Sequence, residues 1–332
     1  MREAMIVTVL LFGACGFPDE PLEDKGQGVW QRMAAPDLVY RALWGATERD
    51  VLAVGDDGVA HFDGEAWERA DAPAAVYRAV WGRSATEAWI GGDGVLLARG
   101  YDGTWQPQSL WHDGVELTDY SVVALSGSAS SELALVHTGG VMLLFRNEGA
   151  FWSTVFWQAG LEPRLPQAPA LLDRGFSVLV AGDDDLVDLT VDEVGLWSST
   201  TWIDAGEVPR LGALSGGWDA WAGAGGATVV LYRLDSGETL VFHDELGRRD
   251  ARGVAALGPH QAYVVGRPIA LPGPDPVSGA VTSPVEACDL DGCALEQVDA
   301  PYQAATLEAV WVSDTGAAFA AGPKVILRRD NP

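Results

Sequence analysis

Acidic and histidine residues are the first candidates for chemistry in this 332-residue sequence, because their side chains bind metal ions and transfer protons. Two acidic groups, Asp183–Asp185 and the pair Asp289 and Asp291, carry the oxygen atoms that calcium prefers. Neither has the spaced ligands and closing glutamate of an EF-hand loop, so we predict no metal and keep calcium as the alternative. No HExxH, G-x-S-x-G or Walker-type motif is present, so the sequence predicts no catalytic residue. The histidines are scattered, at His61, His112, His137, His243 and His260.

Aromatic and polar residues outside any repeated pattern are the better candidates for contact with a ligand. Trp111, His112, Asp113 and Tyr120 lie in the stretch QSLWHDGVELTDY, and Trp157 lies in a second irregular stretch. Aromatic faces stack on ligand rings, and histidine and aspartate supply hydrogen bonds. We therefore predict these five residues as ligand-binding, with the alternative that they only anchor loops to the core.

The amino terminus has the features of an export signal. Residues 1–14 contain one apolar run, which is too short to span a membrane but suits a signal peptide. The sequence Phe-Gly-Ala-Cys that ends at Cys15 resembles the lipobox of bacterial lipoproteins, although Phe12 stands where leucine is preferred. We predict a signal peptide over 1–14, lipidation of Cys15 and a polar tether over 15–27. An ordinary secretion signal is the alternative.

Two further cysteines form a candidate disulfide. If Cys15 is lipidated, Cys288 and Cys293 remain as a pair. They flank the turn-forming sequence Asp-Leu-Asp-Gly, so they are expected to face each other across a hairpin. Because the loop is short, the stabilisation should be small. Free thiols or a metal site are the alternatives, and the neighbouring sequence does not complete four metal ligands.

The charge of the chain limits its partners. It has 21 Lys and Arg against 47 Asp and Glu, a formal net charge of −26. Such a surface repels phosphate backbones and anionic lipids. We therefore expect no nucleic acid partner, and membrane attachment only through a lipid anchor.

Two stretches of the chain are nearly the same. LVYRALWGATERDVLAVGDDGVAHFDGEAWE covers 38–68, and AVYRAVWGRSATEAWIGGDGVLLARGYDGTWQ covers 75–106. Each has four short apolar runs separated by Gly or Asp-Gly turns, which predicts four antiparallel strands. A single four-stranded sheet cannot bury both of its faces, so it must pack on copies of itself.

Further copies follow from the residue that ends the second run. It recurs roughly every 40–50 residues, the period of β-propellers, with the long stretch 267–284 interpreted as a loop. The seven positions are Gly55, Gly92, His137, Gly182, Gly223, Gly266 and Gly322.

The last unit lacks its fourth strand. It ends at KVILRRDNP, whereas the segment GVWQR at 28–32 resembles the fourth strands EAWER and GTWQP. Pairing the chain's beginning with its end would remove two exposed edges. We therefore predict an all-β, seven-bladed β-propeller over 28–332, whose last blade is closed by the N-terminal strand.

The units resemble the propeller repeats of bacterial exported proteins, including lipoproteins. They are distantly similar to kelch, Asp-box and photosystem-assembly-factor propellers. The resemblance implies a fold rather than a catalytic set, because the shared residues are turns and packing aromatics. The repeated tryptophans are accordingly interpreted as packing residues: Trp30, Trp67 and Trp105 on outer strands, and Trp44, Trp81 and Trp311 nearer the axis.

The predicted function is a non-catalytic, monomeric and lipid-anchored binding or scaffold module in the bacterial cell envelope, without a cofactor. Its partner is a protein or a glycan. A carbohydrate-acting enzyme with its site in the central funnel is the alternative. Three or more ionisable side chains that converge at the axis would favour the enzyme. A channel lined by small apolar and backbone groups would favour the binding module.

Overall fold

A computed structural model describes residues 29–128, 131–149, 151–158, 170–174, 177–181, 186–191, 197–203, 211–216, 220–233, 238–243, 250–258, 261–271, 281–289 and 292–330. Regular structure in these residues is β-strand, apart from a short 3-10 helix at Tyr302–Ala304. The predicted signal peptide, lipidated Cys15 and tether lie outside the described residues, as do Asp183–Asp185 and Asp291.

The strands of the described residues form seven sheets, six with four strands and one with six. The first strands are β1 (Gln31–Arg32), β2 (Val39–Thr47), β3 (Asp50–Asp56), β4 (Gly58–Phe62), β5 (Trp67–Arg69), β6 (Tyr77–Ser84), β7 (Glu87–Gly92), β8 (Val95–Arg99) and β9 (Trp105–Pro107). They are followed by β10 (Leu110–His112), β11 (Val115–Glu116), β12 (Ser121–Gly127), β13 (Glu132–Thr138), β14 (Val141–Asn147) and β15 (Trp152–Gln158). Next come β16 (Ala170–Asp173), β17 (Ser177–Ala181), β18 (Leu186–Val191), β19 (Trp197–Ile203), β20 (Ala213–Gly216), β21 (Ala220–Gly225), β22 (Thr228–Arg233) and β23 (Glu238–His243). The last are β24 (Ala251–Gly258), β25 (Gln261–Leu271), β26 (Val281–Asp289), β27 (Gly292–Leu295), β28 (Ala309–Val312), β29 (Ala318–Gly322) and β30 (Val325–Arg329).

The sheets are the blades of a propeller. Blades 1 to 6 begin with β2, β6, β12, β16, β20 and β24, and blade 7 combines β28, β29 and β30 with β1. The first strand of each blade contacts the first strands of both neighbours, around to β28 against β2, so these strands surround a central axis. Seven apolar clusters fill the seven interfaces between neighbouring blades. The predicted seven-bladed β-propeller is confirmed.

The glycine that ends the second strand is required by sterics. A Cβ atom on Gly55 would lie 1.8 Å from the Val39 carbonyl oxygen, and one on Gly92 would lie 1.9 Å from the Val76 carbonyl oxygen. No side chain fits there, because the backbone of the paired first strand already occupies that space. In blade 5 the residue in this register is Gly225, which pairs with Thr228 as Gly55 pairs with Gly58. The choice of Gly223 from the sequence was therefore wrong by two residues.

The repeated Trp-Gly pair joins one blade to the next. A Cβ atom on Gly82 would lie 2.6 Å from the ring of Trp44, because the tryptophan of blade 1 covers the glycine of blade 2. Trp311 of blade 7 covers Gly45 of blade 1 in the same way, at 2.7 Å. Each tryptophan therefore requires a residue without a side chain in the following blade.

The N-terminal strand completes blade 7, as predicted. Gln31 pairs with Arg328 and Arg32 with Leu327, in antiparallel register. Trp30 is fully buried in the cluster between blades 6 and 7, and its ring meets Tyr263 edge to face at 5.4 Å. The first and last strands that the structure describes thus share one sheet.

Two sequence predictions need correction. The stretch 267–284 is not all loop, since β25 runs to Leu271 and β26 starts at Val281, with Ile269 paired to Ser283. Blade 3 has six strands rather than four, because the hairpin of β10 and β11 adds to its outer edge through a parallel pairing of β10 with β15. The local sequence gave no signal of that pairing, which joins residues about 40 positions apart.

Candidate functional site

Charged side chains gather at the end of the axis where the first strands begin. Arg41 and Arg78 follow the residues that pair with the turn glycines of blades 1 and 2, and Arg252 has the same position in blade 6. Glu308 precedes β28 of blade 7, and its carboxylate forms an ion pair with Arg252. We call this end of the channel the axial mouth and define it by Arg41, Arg78, Arg252 and Glu308 with their ion-pair partners.

Two of these arginines are held by paired hydrogen bonds. Arg41 donates to Asp56 from Nε at 2.7 Å and from Nη2 at 2.8 Å. Arg78 donates to Asp93 from the same two atoms at 2.7 and 2.9 Å. Both arginine side chains remain accessible, at 40% and 37%. Among the described residues no protein group accepts a hydrogen bond from their Nη1 atoms, so each guanidinium is fixed in place with donors to spare.

Ion pairs continue around the mouth. Arg252 and Arg267 both pair with Asp250, at 3.4 and 3.0 Å. Lys324 and Asp37, which lie outside the mouth as defined, form a separate ion pair at 3.3 Å. Every cation of this set has a carboxylate partner, so the mouth is locally balanced on a chain whose net charge is −26.

Two carboxylates of the mouth are unsuited to act as general acids. The hydrogen bond from Arg41 lowers the pKa of Asp56, and that from Arg78 lowers the pKa of Asp93, with a further contribution from the Ser121 hydroxyl. Both carboxylates therefore stay ionised at neutral pH. A general acid for glycoside cleavage needs a carboxyl group whose pKa is raised, and these two are shifted the other way.

Three of the predicted ligand-binding residues lie on one hairpin. Trp111 and His112 are in β10, and Asp113 is in the turn that follows, with φ of 48°. The Trp111 side chain is exposed, and His112 Nδ1 lies 3.0 Å from the hydroxyl of Thr154. The hairpin places this trio at the outer edge of blade 3.

The other two predicted residues are placed differently. Tyr120 packs against the cluster between blades 2 and 3, and burial raises the pKa of its hydroxyl. Its carbonyl accepts a hydrogen bond of 2.7 Å from Gly94, beside the axial mouth rather than at the hairpin. Trp157 pairs with Leu143 through the backbone of β15, and its side chain is outside the described part of the chain. The five residues remain predicted ligand contacts. They do not form one cluster, because Tyr120 lies apart from the hairpin that carries Trp111, His112 and Asp113.

Cys288 and Cys293 form a disulfide with an S–S distance of 2.11 Å. They face each other across β26 and β27, at a Cα–Cα distance of 4.0 Å. Within the ranges that the structure describes, no group of three metal-ligating side chains comes together, and no helix is long and apolar enough to cross a membrane. The calcium alternative rests in part on Asp183–Asp185 and Asp291, which lie outside these ranges.

Sequence reasoning missed the arginine and aspartate pairs of the mouth. The signal for them was present, because Arg41 precedes Asp56 by the same 15 residues that separate Arg78 from Asp93. Both arginines occupy the same place in the repeated Val-Tyr-Arg-Ala sequence.

Comparisons with known proteins support the propeller class. No model of a known protein family matches the chain, and no curated protein matches it. Among solved structures, the WD40 β-propeller domain of Doa1 is 13% identical, with a TM-score of 0.65 over 92% of this chain and 98% of that one. YCF48, solved bound to D1 peptide, is 14% identical, with a TM-score of 0.61 over 91% of this chain and 97% of its own. Virginiamycin B lyase from Staphylococcus aureus is 11% identical, with a TM-score of 0.63 over 90% of this chain and 96% of its own.

At these identities the similarity shows the fold and no more. The class of the protein is therefore β-propeller. What it binds must be argued from its own side chains.

Proposed function

We propose that this protein is an exported, non-catalytic propeller that binds a protein partner at the axial mouth. The observation that carries the proposal is the presence of two equivalent ion pairs, each held by two hydrogen bonds: Arg41 with Asp56 and Arg78 with Asp93. They hold two accessible guanidinium groups side by side in neighbouring blades.

Fixed guanidinium groups suit the recognition of oxygen acceptors. Because Asp56 and Asp93 already hold the two side chains, a partner does not have to order them on binding, which lowers the entropic cost. The remaining N–H groups can donate to backbone carbonyls or side-chain oxygens of a segment laid across the mouth. The balanced charge of the mouth avoids leaving one sign unpaired when water is displaced.

Other features agree with this role. YCF48 binds a peptide on a similar fold, as its structure in complex with D1 peptide records. The export signal and lipobox-like sequence before Cys15 would place the propeller in the bacterial cell envelope, attached through lipid. Replacement of Cys15 by Ser should release the folded protein from membranes, and continued fractionation with membranes would refute the anchor.

The test of the mouth uses the double variant Arg41→Gln and Arg78→Gln as bait in an envelope extract with chemical crosslinking. The matched control is Arg146→Gln, because Arg146 is also an accessible arginine paired with a carboxylate, Glu148, but it lies on β14 of blade 3. A partner recovered by the wild type and by the control should be lost by the double variant. If the double variant recovers the same partner equally well, the mouth is not the binding site.

The carbohydrate-acting enzyme remains the second candidate, because ionisable groups do converge at the axis. The lowered pKa values of Asp56 and Asp93 argue against a role for them as general acids. Release of reducing ends from polysaccharides, abolished by Glu308→Gln, would support the enzyme and displace the binding proposal.

A further inference from the structure

A cavity of about 240 Å³ opens between blades 1 and 2. It is lined by side chains of both blades and of the segment that joins them. Leu52, His61, Glu68, Ala70, Arg99 and Trp105 are among its lining residues.

The matching interface between blades 7 and 1 shows how this space is normally filled. There Trp67, on the outer strand of blade 1, is only 6% exposed. Phe62 covers its ring at 5.4 Å and Phe319 meets it at 6.2 Å, while its Nε1 atom donates to the sulfur of Met33 at 3.4 Å. Three apolar side chains therefore enclose the indole.

The segments MAAPDLVY (33–40) and ADAPAAVY (70–77) align without a gap, which places Ala70 at the position of Met33. The structure supports this alignment. The hydroxyl of Tyr40 donates to the carbonyl of Pro36 at 2.5 Å, and that of Tyr77 donates to Pro73 at 2.6 Å.

The other two covering residues also change. Trp67 pairs with Phe62 across β4 and β5, whereas Trp105 pairs with Arg99 across β8 and β9. Phe319 pairs with Trp311, and the corresponding partner of Trp44 in blade 1 is Leu52. Trp105 therefore keeps its place in the repeat while all three of its covering side chains become smaller or polar, and the cavity lies in that space.

The polar side chains around the cavity are mixed in charge. Glu68 and Asp71 are matched by Arg69 and Arg99. His61 lies 2.7 Å from Asp50 through Nε2, and Arg99 lies 3.8 Å from the same carboxylate. An anion in the cavity would be repelled by the two carboxylates, and a cation would be repelled by the two guanidinium groups. A ligand with hydroxyl groups, which both donate and accept, can satisfy both sets.

We infer that this cavity binds a single neutral, polyhydroxylated ring, such as one saccharide unit, stacked on Trp105. The ring's apolar face covers the indole as Phe62 and Met33 cover Trp67, and its hydroxyl groups bond to Arg99, Glu68 and His61. The volume is below the ~300–1,000 Å³ typical of drug-sized ligands, so it suits one ring rather than a long chain. This site is separate from the axial mouth.

The experiment is saturation-transfer difference NMR on the full chain, with the methyl glycosides of glucose, galactose, mannose and N-acetylglucosamine as probes. At least one probe should receive saturation at its ring C–H protons. Ala70→Met, which supplies the side chain present at position 33, should fill the cavity and weaken that binding at least tenfold. The control is Ala74→Met, the same substitution at an exposed position of the same segment, and it should bind like the wild type.

Glu68→Ala keeps the test decisive if Ala70→Met fails to fold, because Glu68 is exposed and its removal should still weaken binding several-fold. The double variant Arg41→Gln and Arg78→Gln should bind the probe normally, which separates this site from the proposed function. The inference is overturned if no probe receives saturation, if folded Ala70→Met binds as well as Ala74→Met, or if inorganic phosphate or lysine displaces the probe.

Discussion

Removal of the Trp30 side chain should be the most damaging single truncation at the ring closure. Trp30 lies just before β1, and its side chain is completely buried between blades 6 and 7. Truncation of a buried tryptophan to alanine costs about 3–5 kcal/mol. The edge-to-face contact with Tyr263 accounts for ~0.5–1.5 kcal/mol of such an interaction, so we expect Trp30→Ala to fall in the upper half of that range.

That loss is a large fraction of the ~5–15 kcal/mol by which a native protein is stable. It corresponds to a fall in Tm of about 6–7 °C for a chain of this size. The backbone bonds of this segment should survive, since Trp30 N–H donates to Gln297 at 3.0 Å and Asp299 N–H donates to the Trp30 carbonyl at 3.0 Å. The variant should therefore remain a propeller with a less stable interface between blades 6 and 7.

Urea denaturation followed by far-UV circular dichroism measures the free energy of unfolding, with Trp111→Ala as the matched control. Trp111 is 38% exposed at the edge of blade 3, so its truncation should cost less than about 1 kcal/mol. If Trp30→Ala costs no more than Trp111→Ala, closure does not depend on the buried indole. A loss of cooperativity, seen as separate transitions by two probes, would show instead that blade 7 opens independently.

Two further predictions concern the repeated contacts. Gly82→Ala should destabilise the fold by about 1–3 kcal/mol, because the new Cβ would lie 2.6 Å from the ring of Trp44. Thermal denaturation should show that the same substitution costs much less when it is made in a Trp44→Ala background. Arg41→Gln should lower the free energy of unfolding at pH 7 by less than about 1 kcal/mol, since the pair with Asp56 is well exposed. The folded-state pKa of Asp56 lies below its ordinary value of 3.8, so the ion pair stabilises the folded protein fully above pH 3.8. The difference in free energy of unfolding between the variant and the wild type should therefore vanish as the pH falls through the folded-state pKa. Urea titrations at pH 7 and at strongly acidic pH would check this, and a difference that grows in acid would contradict it.

The repeated parts of the fold could be predicted because their sequence has a local physical cause. Gly55 and Gly92 recur because no side chain fits beside the backbone of the preceding first strand. Trp44 and Gly82 recur because the tryptophan of one blade covers the glycine of the next. Constraints of this kind act at every copy, so they leave a period in the sequence.

Pairings that occur once leave no such period. The parallel pairing of β10 with β15 depends on Trp111 lying beside Ser153, and nothing in either local sequence specifies the partner. Four of the five predicted ligand residues shared one stretch of sequence, yet Tyr120 is placed beside Gly94 while the hairpin carries Trp111 at the outer edge of blade 3. Proximity in sequence was therefore a poor guide to proximity in space.

The differences between copies point to the proposed saccharide site, which the residues outside the repeat did not indicate. Blade 1 keeps Phe62 and Met33 over Trp67, which is the arrangement that packing alone favours, because it buries apolar surface without polar groups. Blade 2 keeps the tryptophan but replaces its cover with Arg99 and Ala70, which leaves a cavity and places a guanidinium beside it. Both changes leave the Trp105 indole without the apolar cover that Trp67 has, which packing alone does not favour. The same comparison can be made within any propeller from its sequence, once the register of the copies is known.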